Sequence, residues 1–213
     1  VLYADESRER ERMRLPQLRN QQADRERNLS LADFVAPLGS GVKDYVGAFA
    51  VTAGLGLEEL AGRYRSEGDD YRAIMAKLLA DRLTEAFAEA LHRYARVTLW
   101  GYEREGQWSV GDLLAEKYQG IRPAFGYPSA PDHSLKADVF ALMDVGTVTG
   151  MTMTESYMIV PGEAACGLML GHPEARNFSV GRIDSEQLAS YAARRGTDSE
   201  KMRVLIPQHL IDM

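Results

Sequence analysis

Through the middle of the chain, apolar residues return at helical spacing. Between residues 70 and 97, Met75, Leu79, Leu83, Ala86, Phe87, Ala90, Leu91 and Tyr94 recur every three or four positions. That is the repeat of one face of an α-helix. It predicts a single long helix with this stripe turned to the core. Arg82, Glu85, Glu89 and His92 fall on a different face. Further helices are expected over 57–66, from Ser109 with Leu113 and Leu114 inward, over 135–145, from Ser185 to about 195, and from Asp198 to about 205. Ser and Asp at these starts accept hydrogen bonds from the first free backbone amides.

A second pattern is short runs of β-branched, aromatic and small apolar residues bounded by Gly, Pro or Ser. Segments 29–37, 45–53, 154–160, 164–170 and 178–183 fit it and are expected as strands, with a strand-like start at 1–4. Strands toward both ends and helices between them predict an α+β fold. The expectation is one domain with a largely antiparallel twisted sheet, helices packed around it, and one long central helix. Residues 5–27 are dense in charges of both signs and read as a solvated helix face, short or broken at Pro16. The chain opens at Val1 with an apolar run and is read as part of a longer polypeptide.

Composition narrows the function. With 213 residues, 45% hydrophobic, the chain can bury a core, and its net charge of −6 argues against nucleic acid or an anionic membrane surface as partner. No apolar run approaches the roughly 18 residues that would span a bilayer. The one cysteine, Cys166, leaves no disulfide framework and fits a reducing cytoplasm. His92, His133, His172 and His209 are too scattered for metal-ligand spacing. No nucleophile–base pattern is readable, and Gly54-x-Gly56 lacks a phosphate-loop lysine, so it reads as a turn.

The densest chemistry lies in Tyr118-Gln119-Gly120-Ile121-Arg122-Pro123-Ala124-Phe125-Gly126-Tyr127-Pro128. Two prolines fix φ and restrain the residues before them, and two glycines permit turns or close backbone approach. The loop should be stiff. Arg122 in it can meet a carboxylate with two parallel hydrogen bonds.

Arg122-Pro123-Ala124-x-Gly126-Tyr127-Pro128 followed by Pro131-x-His133 resembles the S-adenosylmethionine-binding loop in the C-terminal reactivation domain of cobalamin-dependent methionine synthase. Other stretches agree in order: 31–37, 44–52, 80–87, Trp100-Gly101-Tyr102, Thr154-Glu155-Ser156 and His172-Pro173. The likeness runs from about residue 3 to about 206. It implies a domain that binds S-adenosylmethionine and holds it over cobalamin carried by a neighbouring domain. There, inactive cob(II)alamin is reductively methylated with an electron from a flavodoxin-like donor. Methionine biosynthesis, a monomeric unit and a cytoplasmic setting follow from the same resemblance, and so does a fragment that does not turn over alone.

The resemblance also implies roles. Arg122 takes the ligand carboxylate, backbone groups of Ala124 and Gly126 hydrogen-bond the ligand, and Tyr127 approaches the corrin. Glu85 and Glu116 match glutamates near the ligand. Positioning, rather than acid–base catalysis, is the chemical contribution, so no catalytic residue is expected. Asn177-Phe178 stand where the family carries a tyrosine pair. A ligand-binding aspartate of the family lies in an N-terminal portion outside these 213 residues. Two other readings are a stand-alone corrinoid-reactivating protein and a docking module with a degraded ligand site.

Overall fold

The computed structural model describes residues 1–22 and 27–211. It is α+β, with every strand pair antiparallel. The central ribbon is β3 (Gly47–Thr52) paired along its whole length with β6 (Ala164–Met169). Residues 121–125 run beside β6 on its other edge, with Ile121 bridged to Leu170 and Ala124 to Gly167. Side chains on the ribbon alternate. Phe49, Val51 and Met169 join Ala88 and Ala95 in one cluster, while Cys166, Leu168 and Leu170 join Ile121, Phe125, Leu135, Val139, Met151 and Ile159 in another. Period-two alternation thus sends one face to the long helix α2 (Asp70–Tyr94) and the other to α4 (Leu135–Met143).

α1 (Leu57–Ser66) starts after Gly56 at φ +77°, where a residue without Cβ carries no strain. α2 is capped by the Asp69 carboxylate, which accepts from the Arg72 amide, and runs on into a π-helical turn at Ala95–Leu99. α3 (Val110–Leu114) opens with a reciprocal Ser109–Asp112 capping box. Asp144 at φ +51° separates α4 from α5 (Val145–Thr149), so the helix expected over 135–145 stops short of its end. α6 (Ser185–Arg194) and α7 (Ser199–Leu205) close a second core with Leu18, Val180 and Ile183. No helix among the described residues is long and apolar enough to cross a membrane.

Four expectations are corrected. Segment 29–37 is a 3-10 turn at Leu31–Phe34, because Ser30 and Asp33 cap each other's backbone and outcompete strand pairing. Segment 154–160 is a hairpin of β4 (Thr152–Met153) and β5 (Ile159–Val160), turned where the Thr154 hydroxyl accepts from the Met158 amide. Segment 178–183 forms no strand: the Ser179 carbonyl accepts from the Asn20 side-chain amide, the Val180 amide donates to the Pro128 carbonyl, and Gly181 sits at φ +68°. In the charged run, residues 1–22 form a hairpin of β1 (Leu2–Tyr3) and β2 (Glu11–Met13) followed by extended chain, not a helix. Residues 23–26 of that run lie outside the described residues.

The largest difference is on α2. The helix lies where the periodicity puts it, yet its inward residues are the small or polar Ala73, Ala80, Thr84, Ala88 and His92. Leu79, Leu83, Phe87 and Tyr94 of the expected core stripe are 50–60% exposed. Small side chains let the helix approach the ribbon closely. Thr84 fastens it there by accepting from the Ala53 amide and donating to the Glu163 carbonyl.

Candidate functional site

Between α2, the ribbon and residues 116–129 lies a cleft of about 500 Å³. Its lining includes Glu85 and Ala88 from α2, Phe49 and Ala165 from the ribbon, and Arg122, Ala124 and Tyr127 from the loop. Glu116, Asn177 and Phe178 complete the mouth. The structure therefore brings together seven of the eight residues singled out from the sequence. The eighth, Gly126, is not among the lining residues. It sits at φ +93°, and a Cβ there would come within 2.2 Å of the His133 ring. The His133 ring packed behind the loop accounts for that glycine without a ligand.

The loop is held by backbone bonds to β6. Phe125 donates to the Cys166 carbonyl at 3.0 Å, and Leu168 donates to the Pro123 carbonyl at 3.0 Å. Approach is so close that a Cβ on Gly167 would meet the Pro123 carbonyl oxygen at 2.2 Å. Further support comes from behind: Lys136 Nζ lies 2.7 Å from His133 Nδ1, and the Tyr191 hydroxyl donates to Asp132, which is buried.

Arg122 is three-quarters enclosed. Its Nη1 donates to the Tyr118 hydroxyl at 2.6 Å and pairs with Glu89 at 2.5 Å. The Tyr118 hydroxyl in turn donates to Glu89 at 3.0 Å. Behind Tyr118 stands Arg96, fully buried, with its guanidinium 3.7 Å over the phenol ring. Arg96 also bonds Glu103 at 2.7 Å and His92 Nδ1 at 2.8 Å. Glu85, Glu89, His92 and Arg96 fall at steps of four, three and four, so they share one flank of the helix.

The electrostatics follow from this enclosure. Burial, then the Arg96 and Arg122 charges, push the His92 imidazole down to about 3, so it is neutral and accepts from Arg96. Burial raises the Tyr118 phenol to about 12. For Arg122 burial works against the charge, but Tyr118 and Glu89 outweigh it and its pKa is raised. Burial, then the Glu85 carboxylate beside it, also raises the Tyr127 phenol. A guanidinium carries five N–H donors, and the two partners here share one nitrogen of it. The remainder can bind a second carboxylate.

At the mouth, Asn177 donates to Glu116 at 2.9 Å. Glu116 lies beyond the end of α3, at φ +49°. Sequence reasoning passed over Tyr118 as a ligand-side partner, and Glu89, Arg96 and Gly167 altogether as parts of this site. Glu89 carried a usable signal, its four-residue step from Glu85. Gly167 carried none, since its constraint is a contact made across the fold.

A cleft with one enclosed cation, carboxylates on two sides and aromatic rings at its edges suits a zwitterionic ligand with a flat ring system. Over residues 1–196 the chain matches the family described as vitamin B12 dependent methionine synthase, activation domain. A crystal structure of the MetH reactivation domain bound to AdoHcy superposes with a TM-score of 0.96 at 42% sequence identity, covering 100% of this chain and 66% of that one. The chain thus spans about two thirds of the length of that protein chain. It belongs to the activation-domain family of vitamin B12-dependent methionine synthase.

Proposed function

With that membership as premise, we propose that the cleft binds S-adenosylmethionine and presents its methyl group to cobalamin on a neighbouring domain, reactivating the enzyme. The observation that carries this reading is Arg122, enclosed in the cleft with donors to spare, facing Glu85 and Glu116. The neighbour's AdoHcy, which is the demethylated product of that ligand, supports the same reading.

In this reading Arg122 holds the ligand carboxylate, with Glu89 and Tyr118 keeping the guanidinium from swinging away. Glu85 and Glu116 attract the ligand's positive ammonium and sulfonium groups. The backbone of Ala124 lies along the cleft wall and is free of bulky side chains. Gly126 acts by letting the chain turn over His133. Phe178, which stands edge-on to Phe34 with centroids 6.4 Å apart, offers a ring to the adenine. Asn177 acts through Glu116. Tyr127, about half exposed at the loop tip, is the residue turned toward the corrin. The protein's residues would bind and orient the methyl donor and exclude water, while cobalamin, when bound on the neighbouring domain and reduced by a flavodoxin-like donor, would supply the nucleophile. No group here needs to move a proton. The remaining partner is the cobalamin-binding domain of the same enzyme, and the unit works as a monomer in the cytoplasm.

Calorimetric titration with S-adenosylmethionine tests the proposal. Arg122→Ala should weaken binding by about 2–4 kcal/mol, the range for truncating one partner of a desolvated charge pair, and reactivation should fall with it. Unchanged affinity would remove Arg122 from the site.

A further inference from the structure

Lys136 is a buried charge that the proposed function leaves unused. It is 6% exposed and, among the described residues, pairs with no carboxylate. Lysine is among the residues least often buried without such a partner. Its place in the fold adds a second cost. Lys136 stands in the first turn of α4, where free backbone amides already put partial positive charge. An ammonium that is desolvated, unmatched and at the wrong helix end destabilises the fold on each count. A methionine would fill the same space without them. Lys136 is therefore a functional candidate rather than a packing residue.

The ammonium has two contacts. Nζ lies 2.7 Å from His133 Nδ1 and donates to the Tyr157 carbonyl at 3.2 Å. Because an ammonium only donates, His133 Nδ1 accepts, and the neutral ring carries its proton on Nε2. Tautomer and ring plane are both fixed by that bond. The ring lies against Gly126, in the space a Cβ would need. Gly126 opens a tight turn. Its amide donates to the Ala130 carbonyl at 2.7 Å, and the Ala130 amide donates to the Tyr127 carbonyl at 2.9 Å. Tyr127, at the tip of the turn, lines the cleft with Arg122, whereas His133 and Lys136 do not. A chain of contacts thus runs from the buried charge to the cleft, although neither residue reaches it.

We propose that Lys136 and His133 are positioning residues of the ligand site: the ammonium locks the neutral imidazole against Gly126, and the ring in turn holds Tyr127 at the cleft. The effect on binding rests on the ligand reading; the effect on the turn does not. The device carries an acid limb. A proton on His133 Nδ1 would set imidazolium against ammonium, with the ring confined between Lys136 and Gly126. The ring must then leave, and the turn loosens. Burial, then the Lys136 charge, lower the His133 pKa, against a smaller opposing pull from Asp132. The other groups facing the pair give little relief. Asp132 is engaged by Tyr191 and Arg195. The Cys166 thiol on β6, pushed up to about 12 by burial, stays neutral, and Tyr157 offers only its carbonyl. The competent state is the neutral one. Affinity is therefore full above the ordinary value of 6.5 and falls, by up to about tenfold per pH unit, once pH drops through the lowered pKa.

Calorimetric titration of the full-length protein with S-adenosylmethionine, from about pH 5 to 8, tests the pair. Lys136→Met removes the charge and keeps the apolar volume. At neutral pH it should bind about three- to tenfold more weakly, the cost of ordering the turn on binding. Its folding equilibrium constant should stay the same or rise. A merely structural residue would lose stability and affinity together. With the cation gone, the acid limb should also move to higher pH. His133→Asn keeps an acceptor for Lys136 but takes no proton, so its limb should vanish and leave only the cleft carboxylates to titrate. Hydrogen exchange reads the turn without ligand. In Lys136→Met the Gly126 and Ala130 amides should exchange about tenfold faster, with those of β3 and β6 unchanged. Equal affinity and equal limbs in wild type and Lys136→Met overturn the proposal. So does a Lys136→Met protein that loses stability or fails to fold, or a limb that persists in His133→Asn. If the wild type binds no S-adenosylmethionine, the ligand reading fails and exchange alone decides: faster turn amides keep the positioning role, and unchanged ones end it.

Discussion

The two flanks of α2 invert the usual relation between polarity and burial. On one flank Glu85, Glu89, His92 and Arg96 run down the helix into a closed network, and Arg96 is fully buried. On the other, Leu79, Leu83 and Phe87 stand in the open. Read by hydropathy alone, the second flank is the core and the first is solvent. The difference teaches that periodicity identifies faces, not their partners. A face can be polar and buried if every charge finds a mate. An apolar face can stand exposed while the small side chains beside it make the packing contact.

The polar flank can be broken at its centre. Arg96→Ala leaves the Glu103 carboxylate, itself buried, without its cation and removes the group stacked over Tyr118. The expected loss is about 3–5 kcal/mol in chemical denaturation, the cost of orphaning a buried charge. A loss below about 1 kcal/mol would mean that water enters the network and that the flank is solvated after all.

A smaller change sharpens the same point. Tyr118→Phe keeps the ring beneath Arg96 and deletes the hydroxyl shared by Glu89 and Arg122. Hydrogen bonds to charged groups contribute about 1.5–3 kcal/mol, so stability should fall within that range and ligand affinity should fall too. If both are unchanged, the Arg122–Glu89 pair closes unaided and Tyr118 is only a platform.

Much of this was legible in the chain. The bounds of α1, the start of α2, the capped starts of α3 and α7, and strands β3 and β6 follow from spacing and capping residues, whereas α6 is capped by Asp184 and not by the expected Ser185. Of the residues that line the cleft, Arg122, Ala124 and Tyr127 were legible in the loop motif, and Glu85, Glu116, Asn177 and Phe178 only through the wider family resemblance. What failed has specific causes. Segments 29–37 and 154–160 are apolar enough for strands, but Ser30, Asp33 and Thr154 offer their backbones local bonds that win. Arg96 drew no reading from the sequence, since nothing near it in the chain announces that Glu103, His92 and Tyr118 converge on it. Gly126 was expected to offer its backbone to the ligand; the further constraint on it, the His133 ring that fills the space a Cβ would need, is a contact the motif does not announce.

Acidification probes the polar flank without a mutation. His92 is held neutral, with its folded pKa about 3 against an ordinary value of 6.5. The unfolded chain therefore binds a proton that the folded one refuses between these values. Stability from this group is complete above about pH 6.5 and is lost as pH falls toward 3, at about 1.4 kcal/mol per pH unit for one proton. His92→Gln should flatten that part of the stability profile. An unchanged slope would assign the acid sensitivity to other groups.

The smallest effect belongs to the cleft mouth, where the network ends in solvent. Asn177 and Glu116 are both exposed, so their hydrogen bond competes with water and contributes little to stability. Its use is to hold the Glu116 carboxylate over the cleft. Asn177→Ala should therefore weaken S-adenosylmethionine binding by about 0.5–1 kcal/mol, a two- to fivefold change. The same substitution made on a Glu116→Gln background should add almost nothing, because the carboxylate it orients is gone. Calorimetry on the four proteins of that cycle reads the coupling directly. Equal losses on both backgrounds would show that Asn177 meets the ligand itself, and the site would then gain a contact in place of a positioning residue.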